Sequence, residues 1–125
     1  MNPPRLSRRE LRIMEALWKH GACSVREIQE TFPEKDRLAY TTVQTMVARL
    51  EAKQAVRKVK KIGNAHIFEA AVTRSAAQGR LVDDVLGFFG GRVAPLMSHL
   101  VDTGRLTLHD VEEARAAIKK HQRKE

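Results

Sequence analysis

The chain has 125 residues, of which 23 are lysine or arginine and 15 are aspartate or glutamate, so its formal net charge is +8 and its isoelectric point is about 10.2. This length excludes a large two-lobed enzyme, and the basic excess predicts a polyanionic partner, either nucleic acid or an anionic membrane surface. Cys23 is the single cysteine, which excludes an intramolecular disulfide and a cysteine-based zinc site. The chain has neither the ~20-residue apolar run of a membrane span nor a signal-peptide core. We therefore expect a soluble cytoplasmic protein without metal or cofactor.

Two helices are predicted in the first third of the chain. Residues 7–10 and 24–27 both have the Ser-x-x-Glu spacing of a capping box, in which the serine and glutamate side chains accept hydrogen bonds from free amides at a helix start. Gly21 and Pro33 are predicted to end these helices, and the polar residues 34–37 are predicted to form a loop. We interpret Cys23 as a half-buried packing residue rather than as a sensor thiol.

The third predicted helix runs from about Tyr40 to about Lys53 and is amphipathic. Its apolar stripe has complete i, i+3, i+4, i+7 spacing and consists of Val43, Met46, Val47 and Leu50. A projection at about 100° per residue places a short polar face opposite this stripe. That face consists of Thr41, Thr45, Ala48 and Ala52, flanked by Gln44 and Arg49.

A β-hairpin is predicted after the third helix. Residues 56–60 and 66–70 are rich in β-branched, aromatic and long basic side chains, which favours two strands. Residues 61–65 contain a Gly-Asn turn signal and are predicted to form a slightly longer loop. The first arm and the tip of the hairpin carry four basic residues: Arg57, Lys58, Lys60 and Lys61.

The remaining residues, from about 73 onwards, predict three more helices. Residues 75–78 are predicted to cap the first of these, and Gly90-Gly91 to end it. The second is predicted to end near Gly104 and admits Pro95 only in its first turn. The third is predicted to open at residues 107–110, and a charged, frayed tail is expected from residue 119.

Three short helices followed by a basic hairpin are typical of a winged helix-turn-helix that binds duplex DNA. A major groove ~12 Å wide admits one helix, and threonine hydroxyls and a glutamine amide can hydrogen-bond base edges or phosphates. We therefore predict base contacts from Thr41, Gln44 and Thr45, contacts nearer phosphate from Thr42 and Arg49, and backbone contacts from the hairpin residues Arg57, Lys58, Lys60 and Lys61. The alternatives are an ordinary solvated face, a salt bridge for Arg49, and a capping role for Thr41 or Thr42.

Several segments resemble the BlaI/MecI-type penicillinase repressors. Residues 6–11 and 14–18 resemble the opening of that family. Its recognition helix resembles the block Ala39-Tyr40-Thr41-Thr42-Val43-Gln44-Thr45-Met46, followed by Arg49-Leu50 and Lys53. Residues 88–91, and residues 106–107 with 111–113, resemble its C-terminal segment. The resemblance implies a homodimer that binds a palindromic operator and represses transcription, with antibiotic-resistance or stress genes as candidate targets.

The resemblance also implies that the C-terminal helices interlock to form the dimer. Dimerisation joins two recognition helices, each of which reads few base pairs, and it raises the effective concentration of the second at its half-site. The dimerisation residues are then expected to be the apolar positions Leu81, Val85, Phe89, Leu96, Leu100, Val111 and Ile118.

This sequence differs from the residues that two induction mechanisms of the family use. Some members respond to a membrane-bound sensor metalloprotease by cleavage at an Asn-Phe bond, and the matching bond here is His99-Leu100. Other members respond to copper through C-terminal cysteine pairs, which this sequence lacks. In the hairpin, Asn64 and Phe68 stand where an arginine and a tyrosine are usual.

The sequence favours DNA repression over three rival functions. An enzyme is disfavoured because the five histidines are scattered and no HExxH, GxSxG or phosphate-binding glycine loop occurs. A winged-helix protein-interaction module without base-specific reading is the main alternative. A single-strand or RNA binder would need exposed aromatic platforms, whereas the aromatic residues here fall mostly on predicted buried stripes.

The predicted architecture is α+β and mostly α. A winged helix-turn-helix DNA-binding domain is expected over residues 1–72, followed by a helical dimerisation domain over residues 73–125. The expected partners are duplex operator DNA, a second copy of the chain and a membrane-bound sensor protease.

Overall fold

The computed structural model describes residues 3–124, which form six α-helices and a small antiparallel sheet. The elements in chain order are α1 (Arg8–His20), β1 (Cys23–Ser24), α2 (Val25–Glu30), a 3-10 turn (Glu34–Asp36), α3 (Tyr40–Ala52), β2 (Val56–Ile62), β3 (Ala65–Ala70), α4 (Arg74–Phe88), α5 (Val93–Asp102) and α6 (Leu108–Lys124). The chain divides into two compact units between Asp83 and Asp84. No helix within residues 3–124 is long and apolar enough to cross a membrane.

Both predicted capping boxes are present. At the start of α1, Ser7 Oγ accepts from the Glu10 amide at 3.1 Å, and Glu10 Oε1 accepts from the Ser7 amide at 2.8 Å. Ser24 and Glu27 make the same reciprocal pair at the start of α2. The predicted end of α1 is confirmed, because Gly21 has a φ of 82° and its amide donates to the Leu17 carbonyl.

The core of the first unit lies between α1, α2, α3 and the sheet. The predicted stripe of α3 is buried, which fixes the orientation of this helix. The largest fully buried side chains of the core are Ile13, Met14, Ile28, Val43, Val47, Leu50 and Val56. Burial of each large apolar side chain stabilises the fold by about 1.5–3 kcal/mol, so this stripe is the main reason that α3 presents one face outward.

The sheet has the strand order β1-β3-β2 and contains one strand that the sequence did not predict. In β1, Cys23 pairs with Phe68 and Ser24 with Ile67. Cys23 is therefore buried rather than half-buried. The predicted length of the hairpin loop, five residues, was wrong. Strand pairing extends to Ile62 and Ala65, so the turn consists of residues 63 and 64 alone.

The predicted start of α4 was displaced by two residues. The hydroxyl of Thr73, rather than that of Ser75, caps the helix by accepting from the Ala76 amide at 3.0 Å. The predicted glycine break is confirmed: α4 ends at Phe88, and both Gly90 and Gly91 have positive φ.

The helices α5 and α6 of the second unit begin and end close to the predicted residues. Pro95 lies in the first turn of α5, as predicted. At the start of α6 the Asp110 amide donates to the Thr107 hydroxyl, and the Thr107 amide and hydroxyl both lie 3.0 Å from Asp110 Oδ2. The two bonds to the carboxylate lower the pKa of Asp110. The expected fraying from residue 119 is not seen, because α6 continues to Lys124.

Candidate nucleic-acid interface

The exposed face of α3 carries the polar side chains that the sequence predicted to lie there. Thr41, Gln44, Thr45 and Arg49 are exposed, whereas Thr42 is half-buried. The N-cap residue is Ala39, so neither Thr41 nor Thr42 caps the helix. Arg49 has no ion-pair partner within the described part of the chain, which disfavours the salt-bridge alternative.

Thr45 is partly engaged by its own helix. Its Oγ1 donates to the Thr41 carbonyl at 3.0 Å, as hydroxyls in helices often do. The oxygen lone pairs and the methyl group of Thr45 are left for an external contact. The side chain can thus accept a hydrogen bond from a base edge or touch a thymine methyl without losing this internal bond.

The hairpin of β2 and β3 contains a β-bulge that distributes its basic residues over two faces. Lys58 pairs with Phe68 and Lys60 pairs with Ile67, and Val59 between them has no partner in the register. Because Ile67 and Phe68 are neighbours in β3 and point to opposite faces, Lys58 and Lys60 also lie on opposite faces. A regular strand would have placed these two lysines in one row.

The four basic residues of the hairpin also differ in their internal contacts. Arg57 Nε donates to Glu69 Oε1 at 2.9 Å in an exposed cross-strand ion pair. Lys58, Lys60 and Lys61 are exposed and make no ion pair within residues 3–124. Arg57 is therefore partly neutralised, and the three lysines supply most of the uncompensated charge of the hairpin.

One contact near the start of α3 was not visible in the sequence. The guanidinium of Arg26, on α2, lies 5.1 Å from the centroid of the Tyr40 ring. A cation over an aromatic face is attracted to the ring quadrupole, so this contact links α2 to the first turn of α3. The two residues lie fourteen positions apart, and no local pattern signals the pair.

The carboxylate of Glu10 links the start of α1 to the end of α3. Lys53 Nζ lies 2.7 Å from Glu10 Oε1 and also donates to the Arg5 carbonyl at 2.9 Å. Burial raises the pKa of Glu10, but the hydrogen bonds and charge from Lys53 and Ser7 outweigh burial and hold the pKa below its usual range. Within residues 3–124, no cluster of His, Cys, Asp or Glu could hold a metal ion.

Comparison with known proteins gives one family and several similar chains. The penicillinase repressor family model matches residues 6–120. A curated penicillinase repressor from Bacillus licheniformis is 22% identical over 119 residues, which cover 94% of this chain and 92% of that protein.

Two solved structures also resemble the chain. The DNA-binding domain of the repressor BlaI is 27% identical with a TM-score of 0.52, and the match covers 61% of this chain and 93% of that one. The monomeric form of Bacillus licheniformis BlaI in complex with the blaP half-operator is 27% identical with a TM-score of 0.50, and the match covers 60% and 90%.

Proposed function

The chain belongs to the penicillinase repressor family, and from this premise we propose that it is a DNA-binding transcriptional repressor that binds a palindromic operator as a homodimer in the cytoplasm. The family is one of repressors rather than enzymes. The solved complex of a relative with a half-operator supports DNA as the partner.

The exposed polar face of α3 is the observation that carries this proposal. We propose that Thr41, Gln44 and Thr45 contact base edges, because they are exposed, short or amide-bearing, and aligned on one side of a helix whose other side is buried. Thr42 and Arg49 lie toward one margin and are proposed to contact phosphate. These contacts together would read sequence and fix the register of the helix.

The basic hairpin is proposed to contact the DNA backbone as the wing. Its lysines lie on two faces, with Lys58 and Lys61 on one and Lys60 on the other, which suits a hairpin flanked by two phosphate strands. Arg57 is a weaker candidate than the lysines, because a phosphate contact would compete with Glu69. The wing would add affinity that depends on salt but carries little sequence information.

The apolar surface of the C-terminal helices supports a homodimer. Within the described residues, neither α5 nor α6 has a buried side chain, and Phe88 and Leu108 are more than four-fifths exposed. Exposed apolar surface on this scale is typical of a protein interface. We propose that the dimer buries Leu81, Val85, Phe89, Leu96, Leu100, Val111 and Ile118.

A membrane-bound sensor protease is proposed as the partner that ends repression. The candidate bond, His99-Leu100, lies inside α5. The His99 carbonyl accepts from the Thr103 amide at 3.0 Å and from the Thr103 hydroxyl at 2.8 Å. A protease binds its substrate in an extended form, so cleavage at this bond would require α5 to unwind locally.

The test of base reading uses three variants of Thr45 on an operator duplex selected by the wild-type protein. Thr45→Ala is expected to lose about 1–3 kcal/mol of binding free energy at the operator and almost nothing on random duplex. Thr45→Val keeps the methyl group and Thr45→Ser keeps the hydroxyl, so the variant that retains wild-type affinity identifies the contacting group.

The matched control for this test is Thr31→Ala, at the end of α2. The Thr31 hydroxyl also bonds its own helix, donating to the Ile28 carbonyl, but Thr31 lies outside the α3 face. This variant is expected to bind both duplexes as the wild type does. An equal loss for Thr45→Ala on operator and random duplex would contradict the proposed base contact.

A further inference from the structure

We propose that the groove between the start of α1 and the exposed face of α3 receives one sugar-phosphate strand of the bound duplex, with Arg9 as a phosphate-binding residue. The groove has a volume of about 450 Å³, and its walls include Arg9 on α1 and Thr42, Thr45 and Arg49 on α3. The inference rests on the proposed function and adds α1 to a DNA-binding surface that already includes α3 and the hairpin.

The charges of this groove support an anionic occupant. Glu10 and Lys53, which also line it, form an ion pair with an N–O distance of 2.7 Å and so compensate each other. Neither Arg9 nor Arg49 has a hydrogen-bond or ion-pair partner for its guanidinium among residues 3–124. The net charge of the groove is therefore that of these two guanidinium groups.

The two unpartnered arginines differ from several other basic residues of the first unit. Arg74 pairs with Glu15 at 3.0 Å, and the guanidinium of Arg37 donates to the carbonyls of Glu30 and Phe32. Two guanidinium groups that face one groove without internal partners point to an external anion.

The position of the groove favours a strand of duplex DNA over a free anion. One wall of the groove is the α3 face that is proposed to enter the major groove, and phosphate strands border the major groove on both sides. A phosphate of the duplex that α3 binds is thereby brought close to the two arginines, whereas a free anion is not.

The test compares Arg9→Ala with the matched control Arg8→Ala. Arg8 is the adjacent residue of α1 and is also exposed, but it does not line the groove. Binding to operator and random duplex is measured over a series of salt concentrations. Arg9→Ala is expected to weaken binding to both duplexes and to make the slope of log affinity against log salt shallower by about 0.9, the contribution of one phosphate contact. The drop in affinity between 50 and 200 mM salt is then about threefold smaller for this variant than for the wild type.

The outcomes separate this inference from the proposed function. Arg9→Lys, which keeps the charge, is expected to restore most of the slope, and Arg8→Ala is expected to match the wild type. Equal slopes for Arg9→Ala and Arg8→Ala overturn the inference, while a preserved operator preference leaves the proposed function standing. A wild-type protein without operator preference contradicts the proposed function itself.

A second arm of the experiment distinguishes a DNA strand from free phosphate. Inorganic phosphate is added at matched ionic strength in place of chloride. Displacement of random duplex is expected to be equal in the two salts. Stronger displacement by phosphate that disappears in Arg9→Ala would assign the groove to a free anion and overturn the strand assignment.

Discussion

Gln54 is the one non-glycine residue with positive φ, at 65°, within the described part of the chain. Gln54 lies just after the end of α3. Its amide donates to the Glu51 carbonyl, and the next amide, that of Ala55, donates to the Leu50 carbonyl. This pair of bonds is a Schellman motif, which requires a left-handed residue. The same pattern ends α4, where Gly90 occupies the equivalent position at a φ of 62°.

We expect Gln54→Gly to increase the free energy of unfolding by about 0.5–1 kcal/mol, because glycine adopts this conformation without a Cβ clash. Urea unfolding of the variant and the wild type measures the difference. Gln54→Ala is the control, since it removes the long side chain but keeps the Cβ, and it is expected to give no gain. Equal stabilities of the glycine and alanine variants would show that backbone conformation is not the cause.

Glu10 predicts an acid dependence of stability. Its pKa is lowered in the folded chain, since Lys53 and Ser7 outweigh the effect of burial. A lowered folded-state pKa means that the carboxylate stabilises the fold fully above the unfolded pKa, and that this contribution is lost as pH falls through the folded pKa. We therefore expect the free energy of unfolding to fall as the pH decreases below the ordinary pKa of a glutamate, about 4.3.

The variants Glu10→Gln and Lys53→Met test the origin of this dependence. Glu10→Gln is expected to flatten the acid slope, because the titrating group is gone. Lys53→Met removes the main group that lowers the pKa, so the folded pKa of Glu10 rises toward its unfolded value and the acid slope is expected to flatten in this variant as well. Identical slopes for Glu10→Gln and the wild type would assign the acid dependence to other carboxylates.

At the level of elements, Trp18 fixes the segment between β3 and α4. Its Nε1 donates to the Val72 carbonyl at 2.9 Å, and the Arg74 guanidinium lies 5.5 Å from its ring centroid. Trp18→Phe keeps an aromatic ring but leaves the carbonyl without this donor, so we expect a loss of about 1–3 kcal/mol in unfolding free energy. Arg74→Gln removes only the exposed cation and is expected to cost less than about 1 kcal/mol. A larger loss for Arg74→Gln would reverse this ranking.

Which elements could be predicted depends on whether their signal is local. The capping boxes and the apolar stripe of α3 are patterns of residues close together in the sequence, and both predictions were confirmed. The strand β1 has only two residues and forms because Phe68 and Ile67, which are distant in the sequence, pair with it. No local pattern could therefore predict it. At the start of α4, Thr73 and Ser75 both offered a hydroxyl, and only the folded backbone decided between them.

The candidate site follows the same division. The outward orientation of Thr41, Gln44 and Thr45 follows from the buried stripe and could be predicted from the sequence. The groove beside Arg9, the Arg26–Tyr40 contact and the bulge at Val59 depend on how separate elements meet, and the sequence did not indicate them. Residues on one helix share a face by periodicity, whereas residues on two helices share a groove only through tertiary packing.

At the level of the whole molecule, the described part of the C-terminal unit has no interior of its own. Its helices α5 and α6 have no buried side chain within the described residues, and such a unit gains stability by pairing with a second copy. Leu96→Asp is expected to convert the proposed dimer into monomer, seen as a lower sedimentation coefficient. Ser98→Asp adds the same charge at a neighbouring exposed position outside the proposed interface and should leave the coefficient unchanged. An unchanged coefficient for Leu96→Asp would refute this interface.

The burial of Cys23 gives the protein a built-in reporter of its own opening. This residue is the single cysteine of the chain, and burial, with the charge of Glu27, raises the pKa of its thiol. Thiol reagents attack the thiolate, so a buried thiol with a raised pKa is expected to react slowly while this part of the fold stays closed. The rate of alkylation therefore reports how often the winged-helix unit opens around Cys23, and no substitution is needed to introduce the thiol.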